Sequence, residues 1–105
     1  EVAKRILELK KMVHASEGTE EDWETIQLHF NEVHPDFFRR LKAMCDDLTQ
    51  HDLKHAAYIR MNLSTKEIAR IMNVSERSVQ TARYRIKKKL SIDKDTDLSR
   101  VLRDL

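Results

Sequence analysis

Five histidines, one cysteine, an acidic triplet and a dense run of basic side chains are the residues of this 105-residue chain equipped to do chemistry. His51 and His55 stand four apart, a spacing that can bring two imidazoles to one metal ion on a helix. No third ligand accompanies them: Cys45 precedes that segment, and His29 and His34 have no better set of partners. No metal is expected. Cys45 lies beside Met44 in an apolar context and reads as an inert, half-buried thiol; a lone cysteine gives no internal disulfide framework. Glu20, Glu21 and Asp22 sit where carboxylates oppose a helix dipole, not as a paired acid and base. No nucleophile elbow, phosphate loop or paired-carboxylate spacing occurs. Neither enzyme activity nor a cofactor is expected.

The basic residues are distributed differently. Residues 60–90 carry nine Lys and Arg against Glu67 and Glu76, a net of +7 in a chain of net charge +2. A concentrated positive segment in a near-neutral chain fits a polyanion partner at one face. Val79, Ala82, Ile86 and Leu90 recur at i, i+3, i+7 and i+11, so residues 76–90 are predicted to form a helix buried along that stripe. The opposite face carries Arg77, Gln80, Thr81, Tyr84, Lys87 and Lys88, with Arg83, Arg85 and Lys89 on the flanks. Polar groups able to hydrogen-bond base edges come first, and a lysine run suited to phosphates follows.

The elements that must present this helix can be read from caps and breaks. One Gly and one Pro in the whole chain leave too few turn residues for strands, so the fold is predicted to be all-α. Residues 1–14 read as a helix with the stripe Val2, Ile6, Leu9 and Val13, an amphipathic helix or the end of a coiled coil. Gly18 suits the break that follows, and Thr19 suits the cap of a second helix with Trp23, Ile26, Phe30 and Val33 on one face. Pro35 fits the first turn of a third helix carrying Phe37, Phe38, Leu41 and Met44 toward the core. Thr49 and Asp52 resemble a capping box, opening a helix with Leu53, Ala56, Ala57, Ile59 and Arg60. Asn62 suits a left-handed turn. Ser64-x-x-Glu67 is a second capping box, before a short helix holding Ile68, Ala69, Ile71 and Met72. Asn73-Val74 is a tight turn with Val74 plugging the core, and Ser75 caps helix 76–90. Thr96 or Asp97 starts a last helix with the stripe Leu98, Val101, Leu102 and Leu105. A short capped helix, a tight turn and a second capped helix outline a helix-turn-helix.

Residues 48–90 resemble the LuxR-type DNA-binding domain of bacterial transcription regulators. Leu48-Thr49, Leu63-Ser64, Lys66-Glu67-Ile68-Ala69, Val74-Ser75, Ser78-Val79 and Lys89-Leu90 carry the likeness. The chain departs from the usual pattern in having Asn62 for Gly, Asp52 for Glu and Ala82 for His, so the base preferences of relatives cannot be copied. The resemblance implies a four-helix domain over residues 48–105, preceded by two or three helices in residues 1–47 that act as a connector. It implies base contacts from Gln80, Thr81 and Tyr84. Phosphate contacts would come from Lys66, Arg77, Arg83, Lys87 and Lys88, and pairing of two copies from Leu98, Val101, Leu102 and Leu105. Trp23, Phe30, His34-Pro35 and Phe37-Phe38 also resemble the segment before this domain in a group of bacterial sensor-regulators.

The expected partners are double-stranded DNA, a second copy of the chain and RNA polymerase, in the cytoplasm. No run of 18 apolar residues exists to contact a membrane as a span. The chain begins at Glu1 and reads as the C-terminal piece of a larger signalling protein. Two other readings compete: a sigma-factor-like promoter-recognition module, and a helical protein-interaction module that uses residues 23–38 and the stripe 2–13 without binding DNA.

Overall fold

Side-chain caps set most of the helix boundaries in this chain. Thr19 accepts a hydrogen bond from the Asp22 N–H at 3.0 Å. At Thr49 the box is reciprocal: its Oγ1 accepts from the Asp52 N–H at 3.1 Å, and the Asp52 carboxylate accepts from the Thr49 N–H at 3.0 Å. Ser64 and Glu67 repeat that exchange at 3.1 and 3.0 Å. Ser75 accepts from the Ser78 N–H, and Asp97 from the Ser99 N–H. Each cap pairs an N–H that the first helical turn leaves without an intrahelical acceptor, at about 1 kcal/mol apiece.

The resulting elements are α1 (Val2–Ala15), α2 (Glu20–Val33), α3 (Phe37–Met44), α4 (Gln50–Arg60), α5 (Thr65–Met72), α6 (Glu76–Lys89) and α7 (Leu98–Arg103). They come from a computed structural model that describes residues 2–105, and Val2 by its backbone alone. Glu1 and the Val2 side chain, expected in the first helix and its apolar stripe, lie outside the described residues. No strand occurs among the described residues, and the fold is all-α. The three non-glycine residues with positive φ, Asn62 (66°), Asn73 (59°) and Ser91 (57°), each lie in the turn after a helix. Asn is among the few residue types that tolerate this conformation without a large penalty.

One apolar cluster holds the helices together. Leu9 and Val13 of α1, Trp23, Ile26 and Phe30 of α2, Phe37 and Leu41 of α3, and Leu53, Ala56, Ala57, Tyr58 and Ile59 of α4 share it with Ile68, Ile71, Val79, Ile86, Leu98 and Leu102. Phe30 is fully buried, with Phe37, Phe38 and His34 around its ring at 5.3, 5.4 and 5.1 Å. Trp23 meets Tyr58 edge-on at 5.6 Å, joining α2 to α4. Burial, with smaller contributions from Asp22 and Glu20, pushes the Tyr58 hydroxyl up to about 12.

Two contacts fasten the end of α1 and the loop after it to α5. The Arg70 guanidinium donates to the carbonyls of Ser16 (3.2 Å), His14 (3.2 Å) and Val13 (3.5 Å) at the end of α1. Gly18 has φ +80°, and a Cβ there would run into the Ile71 carbonyl oxygen. The glycine therefore serves a close backbone approach as well as a turn.

Four expectations change. Pro35 lies in the turn before α3, closed by the Phe37 N–H on the His34 carbonyl (3.3 Å), and not in the first turn of that helix. Met44, at the end of α3, is 45 % exposed; the apolar face of this eight-residue helix is spent on Phe37 and Leu41. Ile6 is 37 % exposed, since only the C-terminal part of α1 reaches the core. Val74 is also 37 % exposed and plugs nothing: the left-handed Asn73 turns the chain outward, and Val74 contributes its N–H to the Ala69 carbonyl instead.

Candidate nucleic-acid interface

α6 sorts its side chains by where its inner face must pack. Val79, Ala82 and Ile86 are buried, and Leu90 follows at the helix end. Ala82 fits because α6 crosses both α4 and α5, and a larger side chain there would push them apart. The outward line is then fixed by helical spacing: Arg77, Gln80, Thr81, Tyr84 and Lys88 are all exposed. Tyr84 is 57 % exposed, and the Lys88 ammonium lies over its ring at 5.5 Å from the centroid.

Asp52 divides the basic residues of α6 into two groups. Its carboxylate, with no exposed surface, accepts from Arg85 Nε at 3.0 Å and Nη2 at 2.9 Å, and from Lys89 at 2.8 Å. Burial alone would raise this carboxyl. Hydrogen bonds from Lys89, the Thr49 N–H and Arg85 outweigh burial and hold it far below the usual carboxylate range. Lys89 also donates to the Asp47 carbonyl at 3.0 Å. Arg85 and Lys89 thus staple α6 to the start of α4. Lys87 donates to the Lys94 carbonyl at 2.6 Å, across the turn to α7. Arg83 is half-buried, and its Nε lies buried without a partner among the described residues. Arg77 and Lys88 on α6 and Lys66 on α5 are exposed and form no ion pair among the described residues.

Beside this line a shallow groove of about 430 Å³ runs between the first half of α6 and the start of α4. Arg77, Thr81 and Arg85 line it from α6, Val74 and Ser75 from the turn, and His51 from α4. His51 and Val74 were not among the sequence-derived site residues. They stand 30 and seven residues from Thr81, and nothing in spacing along the chain links His51 to that helix. Burial first, then the Arg85 charge, lower the His51 imidazole. The neutral ring can accept from Arg85 through Nδ1, at 3.3 Å. His51 and His55 stack edge-to-face at 4.6 Å between ring centroids.

Of the stripe expected to pair two copies, Leu98 and Leu102 are buried in the chain's own core, where α7 packs on α4. Val101 is half-exposed on α7, and Leu105, past the end of that helix, is half-exposed and packs against the core cluster. No helix among the described residues is long and apolar enough to cross a membrane.

Among family models, that of bacterial regulatory proteins of the luxR family matches residues 46–102, more than half of the chain. No curated protein and no solved structure matches it.

Proposed function

We propose, since the chain belongs to the luxR family of bacterial regulatory proteins, that it binds duplex DNA by laying α6 in the major groove and regulates transcription. The observation that carries this reading is the division of charge on α6. The outward line from Arg77 to Lys88 is polar, exposed and free of ion pairs among the described residues, while Arg85 and Lys89 are tied to Asp52. Gln80, Thr81 and Tyr84 at the centre of that line read base edges. Arg77, Lys88 and Lys66 contact phosphates. Lys87 and Arg83 join them after leaving the Lys94 carbonyl and a half-buried position respectively. Two copies pair through the exposed side of α7, with Val101 and the uncovered part of Leu105 just beyond the helix at the contact, and read two half-sites. Residues 1–47 serve as the helical connector of a larger signalling protein in the cytoplasm, with RNA polymerase as a second partner. The Arg70 contacts to the end of α1 support a mechanical role for that segment.

Selection of bound duplexes from a random library tests the reading. The expected product is a two-fold-related motif with half-sites roughly 34 Å apart. Non-specific binding alone should reach roughly 10⁻⁴ to 10⁻⁶ M at physiological salt. Failure to retain any duplex in that range overturns the proposal.

A further inference from the structure

Away from α6, a second group of cations has no counter-charge among the described residues. A pocket of about 200 Å³ opens where α1, the end of α2 and the end of α4 meet. Ile6, Leu9, Val33 and Met61 supply its apolar lining, and Lys10, His34 and Arg60 its basic and polar lining; no acidic residue among the described residues lines it. A neighbouring cavity shares Val33, His34 and Arg60 and adds Arg40 and Asp36, but the Asp36 carboxylate is held by Arg39 at 3.0 Å. Lys10, Arg40 and Arg60 form no ion pair among the described residues. Arg60 is half-buried, and burial together with the nearby Arg103 charge disfavours its cation. Burial and then Arg60 also lower the His34 imidazole, which stacks against Phe30. The positive charge of the lining therefore comes from Lys10 and Arg60.

A solvated basic face would spread its cations over polar ground. Here a partly desolvated guanidinium, crowded by another, borders an apolar lining. An anion relieves the first condition, and hydrocarbon on the apolar lining satisfies the second. We infer that this pocket binds a small amphiphilic monoanion, a carboxylate with a short hydrocarbon body. The carboxylate lies between Arg60 and Lys10, and the hydrocarbon covers Leu9, Val33 and Met61. The volume is below the roughly 300 Å³ at which pockets for drug-sized ligands begin, so the body is short. The site adjoins Asn62, in the turn that leads to the Ser64 cap of α5. It does not depend on the DNA-binding reading.

Hexanoate titrated into the ¹⁵N-labelled chain is the test. The expected result is saturable amide shifts at Leu9, Val33, Met61 and Asn62 with a millimolar Kd, the range for a ligand of so few atoms. Hexanol and acetate each bind at least about tenfold more weakly. Arg60→Gln lowers hexanoate affinity by about tenfold. Lys10→Gln, at an exposed position, lowers it in the same direction should the Arg60 variant not fold. Hexanol equal to hexanoate would leave only an apolar depression, and acetate or phosphate equal to hexanoate only a basic patch. Either result, or the lack of any saturable shift, overturns the inference.

Discussion

A single buried carboxylate decides which cations of α6 are free. Asp52 caps α4 and holds Arg85 and Lys89 with the same two oxygens. Asp52→Ala removes the cap and both pairs, at about 3 kcal/mol of stability in urea denaturation. It also frees two cations, so non-specific DNA affinity should rise while discrimination between sequences falls. On the exposed line, Gln80→Ala should relax preference at one base pair by about 1–3 kcal/mol, and Lys88→Ala should weaken binding to every duplex alike. Fluorescence anisotropy on a set of single-base variants separates the two; the reverse assignment would mean that α6 lies in the groove the other way. His55 acts on stability instead. Burial above all, with the charges of His51 and Arg85, takes its imidazole from 6.5 down to about 4, and neither ring nitrogen has a partner among the described residues. The unfolded chain therefore binds a proton first as pH falls. The His55 contribution should be level above pH 6.5 and decline between 6.5 and about 4, a loss of roughly 3 kcal/mol; below that range Asp52, held low in the fold, continues the loss. Burial also lowers His51 and His34, so both act in the same direction. His55→Leu should flatten most of this slope in denaturation midpoints measured across that range.

Element placement depends on how helix ends meet their neighbours. The α1 carbonyls that a helix C-terminus leaves open are closed by Arg70 from α5, 54 or more residues away in sequence. Arg70→Ala should cost about 1–2 kcal/mol and speed amide exchange in the last turn of α1, with α6 unaffected. Gly18→Ala should cost more, since it combines a positive φ with contact against the Ile71 backbone. An unchanged melting temperature for Gly18→Ala would show that the approach of residue 18 to α5 is looser than described. The α5–turn–α6 unit was legible from its caps, because Ser64, Glu67 and Ser75 act within three residues of themselves. The exposure of Val74 was not legible, because it follows from the left-handed Asn73 and the direction in which α6 then leaves.

At the scale of the molecule, 33 by 29 by 21 Å, one apolar cluster spans helices from α1 to α7. α7 has two sides with separate consequences. Leu102 is fully buried, and Leu102→Ala should cost about 2–5 kcal/mol. Val101→Glu, on the half-exposed side, should leave the melting temperature nearly unchanged and abolish cooperative occupancy of two half-sites in a mobility-shift series. Retained cooperativity in that variant would move the pairing surface to another part of the chain.

The helix-turn-helix of the opening sequence was determined locally. Capping boxes, a 3.6-residue apolar period and turn-tolerant asparagines act over one or two turns, so order along the chain suffices to read them. The bounds of most elements, the inner stripe of α6 and its outward line Arg77, Gln80, Thr81, Tyr84 and Lys88 followed from that order. Tertiary structure alone decided which basic residues face outward unpaired, that His51 joins the groove beside Thr81, and that Leu98 and Leu102 belong to the core. The reason is physical: a lysine's availability depends on whether a carboxylate from another helix lies within about 3 Å, and charge at that range is set by how helices cross. A count of basic residues between 83 and 89 cannot distinguish Lys88, which faces solvent, from Lys89, which is held by Asp52 37 residues upstream.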